Sequence, residues 1–140
     1  MKKYGFLLLL LPALLILSCD KDDEVSERFR LLTTPVWESD SLLVNGLDAS
    51  VPSGLLEDFK GEVIFEEDGT GHYGDLTGTW EFMQDEAQLA IRTEALPFAL
   101  ITNIVELTAN SLKVTTEFPN PENPTDPQDK LNIRMTFKAK

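Results

Sequence analysis

The closing stretch of the chain, residues 131–137, alternates almost without fault. Leu131, Ile133, Met135 and Phe137 stand against Asn132, Arg134, Thr136 and Lys138. A period of two belongs to a strand with one face in a core and the other in water, and it excludes a helix, whose apolar positions recur every three to four residues. From Pro35 onward the same period returns again and again, each time cut off by turn chemistry.

A first strand is expected over 36–44, containing Trp37, and Asn45-Gly46 ends it. Residues 47–58 read as a connection, with a short helix over 52–58 that plugs one end of whatever the strands form. Phe59, Gly61, Val63 and Phe65 then alternate with Lys60, Glu62, Ile64 and Glu66. Asp68-Gly69 turns this strand into 70–74, because glycine tolerates the positive φ that a tight hairpin demands. Further strands follow at 79–83, 88–92, 100–108 and 111–118, joined by turns at 75–78, 85–87 and 109–110 and a looser link around Pro97. Residues 119–129 carry four prolines and cannot pair inside a sheet. The fold class is therefore all-β: an antiparallel up-and-down meander of about eight strands. Its two edges are best hidden by pairing with each other, which closes a barrel whose interior is filled by side chains or holds one small ligand. A membrane barrel would put its apolar residues outside; the charged outer positions favour a barrel in water.

The N-terminus has a different character. Lys2 and Lys3 precede an apolar run over 6–17, then Ser18 and the chain's single cysteine, Cys19. The run is short for a membrane span, which needs ~20 apolar residues, and acidic rather than basic residues follow it. Ile16-Leu17-Ser18-Cys19 resembles the bacterial lipobox, in which a thioether-linked lipid is placed on the cysteine before the signal is removed. The plainer alternative is a signal peptide that ends beside an unpaired thiol. Asp20-Lys21-Asp22-Asp23-Glu24 resembles the surface-export signal of lipoproteins from the Bacteroidota, against the alternative of a charged tether that solvates itself. The expected organisation is a signal peptide over 1–18, a lipidated acidic tether over 19–32 and one domain over 33–140. Within that tether, residues 26–32 suit one helical turn, too short to stand alone.

Removal of Lys2 and Lys3 leaves ten basic residues against twenty-four acidic ones, a formal charge of −14. Such a surface repels phosphate backbones and anionic headgroups, so nucleic acid is not an expected partner. Membrane contact would come through the N-terminal lipid, each buried methylene contributing ~0.8 kcal/mol. One cysteine allows no disulfide within the chain.

Phe65-Glu66-Glu67-Asp68-Gly69-Thr70-Gly71, then Gly78-Thr79-Trp80-Glu81-Phe82, and later Ile104-Val105-Glu106-Leu107-Thr108 with Leu112-Lys113-Val114 resemble the lipocalin-like lipoproteins of the Bacteroidota, with Thr136-Phe137 as the closing element. The resemblance spans residues 32–140 and departs from the family's simplest form at 45–58 and in the proline-rich loop. It implies an eight-stranded barrel but no ligand, because function lives in sites rather than folds; the outer-membrane, surface-exposed location is what the export-signal resemblance at 20–24 implies.

The residues offer little chemistry. There is no Gly-x-Ser-x-Gly elbow, no phosphate-cradling glycine loop and no paired Ser and His, so no enzyme activity, catalytic residue or cofactor is expected. His72, the only histidine, is better read as an exposed strand residue than as a base or zinc ligand. Glu66, Glu67, Asp68 and Asp75 supply oxygens but not the spacing of a calcium loop, and no metal is expected. Asp40-Ser41-Leu42 matches the short O-glycosylation pattern of the Bacteroidota at Ser41, useful only if that serine faces outward. The remaining candidate is apolar: Trp37, Phe65, Tyr73, Trp80, Phe82, Phe118 and Met135 can line a pocket, or, with Phe59 and Phe137, fill the barrel solid.

The expected function is thus a non-enzymatic lipoprotein of the cell envelope. Its barrel would bind a small apolar or amphipathic ligand, oriented by polar groups of 45–58 and 119–129. A filled barrel would instead present its loops to an envelope protein, or inhibit a secreted hydrolase through the rigid proline loop. A deep lined cavity favours the first and an exposed apolar patch at the mouth the second.

Overall fold

The computed structural model describes residues 25–140. One helix, α1 (Glu27–Thr33), precedes nine strands: β1 (Trp37–Val44), β2 (Leu47–Asp48), β3 (Glu62–Phe65), β4 (Thr70–Tyr73), β5 (Leu76–Met83), β6 (Gln88–Thr93), β7 (Leu100–Leu107), β8 (Ser111–Pro119) and β9 (Lys130–Ala139). Every neighbouring pair is antiparallel, and β1 pairs β3 on one side and β9 on the other, so eight strands close a lipocalin-like barrel and β2 folds back on β1 as an extra flap.

The β8–β9 seam is the longest, nine residue pairs from Ser111↔Lys138 to Pro119↔Lys130. The β1–β3 seam has only two, Trp37↔Val63 and Glu38↔Glu62. Beyond them β1 carries a bulge between Ser39 and Ser41, and its end turns through Asn45-Gly46, both at positive φ, into β2. The strand expected from residue 79 starts earlier, at Leu76, because the turn is made by Gly74 at positive φ and Asp75. Gly78 lies inside that strand, where a Cβ would fall on the Arg92 carbonyl.

The two barrel ends differ. At one lie the turns at 66–69, 84–87 and 108–110 together with α1. At the other lie the turn at 45–46, the segment 49–60, the link 94–99 and the proline-rich loop. Residues 52–58, expected to form a helix, are turns that end in a single 3-10 turn, Glu57–Phe59. The α-helix is instead at the opposite end, in the segment 26–32 expected to belong to the tether. Ser26 caps it by accepting from the Phe29 amide at 3.0 Å. Tertiary contacts hold what seven residues cannot hold alone: Leu32 is fully buried, Arg28 donates to the Glu86 carbonyl at 3.0 Å, and Trp37 Nε1 donates to the Leu32 carbonyl at 3.0 Å. The folded body therefore begins before residue 33.

Candidate functional site

The alternation of the strands sends one set of side chains inward. Trp37, Phe65, Tyr73 and Met135 are at most 1% exposed, Trp80 and Phe118 are buried, and Phe82 is half-buried. Four of the expected pocket residues meet in a chain of aromatic contacts. Tyr73 packs edge-on to Phe65 at 5.7 Å, Phe65 edge-on to Trp80 at 5.8 Å, and Trp80 edge-on to Phe82 at 5.5 Å. Phe59 of the loop end extends this chain through Tyr73, and Phe29 of α1 extends it through Trp80, so it runs the length of the interior. Phe118 is not part of it; that ring stacks on Phe98 at 5.3 Å near the loop end.

Edge-to-face rings and bonded polar tips describe a packed core, with the buried Thr93 hydroxyl left without a partner among the described residues. Trp80 Nε1 donates to the Glu66 carbonyl at 2.9 Å, and the Thr102 hydroxyl donates to the Leu89 carbonyl at 3.0 Å. Burial pushes the Tyr73 phenol well above its usual pKa, so it stays neutral. At the loop end, a crevice among Leu55, Leu56, Phe59, Leu96, Leu100, Phe118 and Ile133 has a volume of about 10 Å³, no more than one water would need.

The apolar surface that the interior lacks appears on the loop end. Leu47, Val51, Leu55 and Phe98 are 75%, 46%, 40% and 51% exposed; Leu47 is on the short flap strand β2 and the other three are on connections. The sequence held a signal for them: each is a large apolar residue outside any alternation, set among Asn, Gly, Pro and Ser. Beneath them, Leu56 and Phe59 of the segment 49–60 close the barrel.

The other candidate residues stand apart from this end of the barrel or outside the described residues. His72 is an exposed strand residue between Ile64 and Thr77. Asp68 accepts from the Thr70 amide and hydroxyl at 2.9 and 2.6 Å, which holds its carboxyl below the usual range, while Asp75 sits at the far end of the same hairpin. Among the described residues no three metal-ligating side chains gather. Ser41 is half-buried, on the outward side of β1 next to inward Leu42, and faces a polar crevice with Asp40, Asp48 and Lys60. Cys19 and Asp20, Lys21, Asp22, Asp23 and Glu24 lie outside the described residues.

The fold and this interior define a closed, eight-stranded, lipocalin-like barrel. No protein family matches the sequence, and no curated protein is similar to it. Among solved structures the chain is similar to bovine odorant binding protein with a selenium-containing odorant, at 14% identity over 86% of this chain and 77% of that one, TM-score 0.44. It is similar also to the bovine protein with its natural ligand, at 12% identity over 85% and 77%, TM-score 0.45. At this distance the likeness is one of strand arrangement, and the fold rests on the registers given above.

Proposed function

We propose that this chain is a non-enzymatic, lipid-anchored interaction module of the cell envelope, displayed on the outer membrane through Cys19, that works through the loop end of a filled barrel. The observation that carries it is the contrast between an interior of buried, mutually packed aromatic side chains and the exposed Leu47, Val51, Leu55 and Phe98 on one rim. The part of these side chains that stays exposed adds nothing to the fold, and burying it against another surface would contribute ~25 cal/mol per Å². The described chain begins at the helix end, opposite the loop end.

A second reading, a barrel that takes a small apolar or amphipathic ligand, has one observation in its favour. The inner end of the rim is closed by a single 3-10 turn, and displacing Leu56 and Phe59 would open a space lined by Leu100, Phe118 and Ile133. Native mass spectrometry of the full chain, extracted from its own envelope in mild detergent, separates the two. A co-purifying protein lost in the Leu55→Ser/Phe98→Ser variant, with circular dichroism unchanged, supports the module. A bound small molecule lost in Phe118→Ala supports the ligand barrel, and a bare monomer refutes both. The mass of the N-terminal peptide tests lipidation: without acyl chains on Cys19 the anchor is refuted.

A further inference from the structure

On the outer wall, strand register assembles a row that no element carries alone. Leu43 of β1 faces Arg134 of β9, Arg134 faces Thr115 of β8, and Thr115 faces Asn103 of β7. The next row toward the loop end brings Asn132 opposite Glu117. Between the rows runs a trough of about 650 Å³, a size within the range of small-molecule sites. Facing side chains in such rows are ~5 Å apart, so Arg134 and Asn103 are separated by ~10 Å across Thr115.

The hydrogen-bonding account of this trough is one-sided. Among the described residues, Arg134 makes neither an ion pair nor a side-chain hydrogen bond, although four lysines elsewhere are each held by a carboxylate. The one carboxylate in the trough, Glu117, is held by Lys130 at 3.2 Å. Asn103 uses its carbonyl to accept from Gln88 at 2.9 Å, which leaves its NH₂ free. Among the described residues no hydrogen bond engages the Thr115 hydroxyl or the Asn132 side chain, although the Asn132 backbone N–H donates to Asn45 Oδ1 at 2.9 Å. What converges is a guanidinium and two side-chain NH₂ groups, which only donate, and a hydroxyl, which can donate or accept, in a chain whose net charge is −12. A donor-rich trough with one uncompensated cation is complementary to a ligand rich in acceptors and carrying one negative charge, and a planar guanidinium suits a carboxylate in particular.

We infer that this trough is a binding site for an acidic saccharide, its carboxylate held by Arg134 and its hydroxyl and ring oxygens by Asn103, Asn132 and Thr115. The site is on the barrel wall, separate from the apolar rim, and stands or falls independently of the rim's role. The full chain in mild detergent is titrated with galacturonate and N-acetylneuraminate, with galactose as the neutral control, by calorimetry and by the side-chain amide NMR signals of Asn103 and Asn132. The expected result is that an acidic sugar binds at least about tenfold more tightly than galactose and shifts both amide signals. Arg134→Gln, with an unchanged circular dichroism spectrum, reduces that affinity about tenfold or more, while Arg134→Lys restores part of it. Absence of binding by either acidic sugar at roughly 10 mM, equal affinity for galactose, or binding unaffected by Arg134→Gln overturns the inference.

Discussion

Phe65→Ala asks whether the barrel is filled, on which the functional conclusion turns. Phe65 is 1% exposed and lies edge-on to both Tyr73 and Trp80, at 5.7 and 5.8 Å. Truncating a buried phenylalanine costs about 3–5 kcal/mol, transfer and cavity together. The upper half of that range applies if the neighbours cannot close in. Trp80 is pinned by its bond to the Glu66 carbonyl, and both rings are fixed on paired strands, so the void persists. With a total stability of ~5–15 kcal/mol the variant falls near the margin. At a urea slope of ~1–3 kcal/mol per molar, a loss of ~4–5 kcal/mol lowers the unfolding midpoint by ~1.3–5 M. Urea unfolding followed by tryptophan fluorescence and far-ultraviolet circular dichroism measures both midpoint and slope. A loss below ~1 kcal/mol at unchanged slope would refute the reasoning, because it means that the interior had room to spare and the ligand barrel becomes the better account. Should the alanine variant not fold, Phe65→Leu keeps the question open to measurement, with a loss of ~1–2 kcal/mol expected.

Two more predictions concern the barrel ends and the pH range. Trp37→Phe strands the buried Leu32 carbonyl at a cost of ~1–3 kcal/mol and frees α1, so amides of 27–33 should exchange faster than in the parent; equal protection would mean that the helix is held by something else. The Asp48 and Asp68 carboxyls are held below their usual range chiefly by side-chain hydrogen bonds from Ser50 and Thr70, so they stabilise the fold above the unfolded carboxylate pKa of ~4, and that stability is lost as pH falls through their folded values. The urea midpoint should therefore decline on acidification below about pH 4, less steeply in Asp48→Asn/Asp68→Asn, and an identical slope in that variant contradicts the account. At the alkaline end Tyr73 keeps its proton when the unfolded chain loses it, so stability should fall above about pH 10, and Tyr73→Phe should lessen the fall.

How far the molecule can be read from its residues depends on the range of the interactions involved. Asp68-Gly69 encodes its hairpin locally, and Asn45-Gly46 ends β1 where expected, but the strand β2 that follows it reads in the sequence as part of a connection. Gly78 misleads: glycine next to Asp75-Leu76-Thr77 suggests a turn, yet it serves as a gap opposite the Arg92 carbonyl inside β5. Residues 26–33 look like tether because a seven-residue helix is not stable by itself; Leu32 and the Trp37 indole, contacts across the barrel end, decide otherwise. The aromatic residues show as inward-facing in the sequence, but whether they line a void or close it depends on their summed volumes across eight strands. Arg134, Asn103 and Thr115 carry no motif at all, and only register brings them side by side.

By itself the sequence determined an antiparallel meander, because period-two alternation and turn residues act over two to ten neighbours and leave the chain little else to form. It also determined that the chain is strongly acidic, since net charge is a matter of composition. The tertiary structure decided that the barrel is filled, that α1 belongs to the folded body, that four apolar side chains stand unburied at one end, and that a row of donors crosses the wall. Each of these is a sum over residues distant in sequence, set by closure of β1 on β9 and by the register of every seam between.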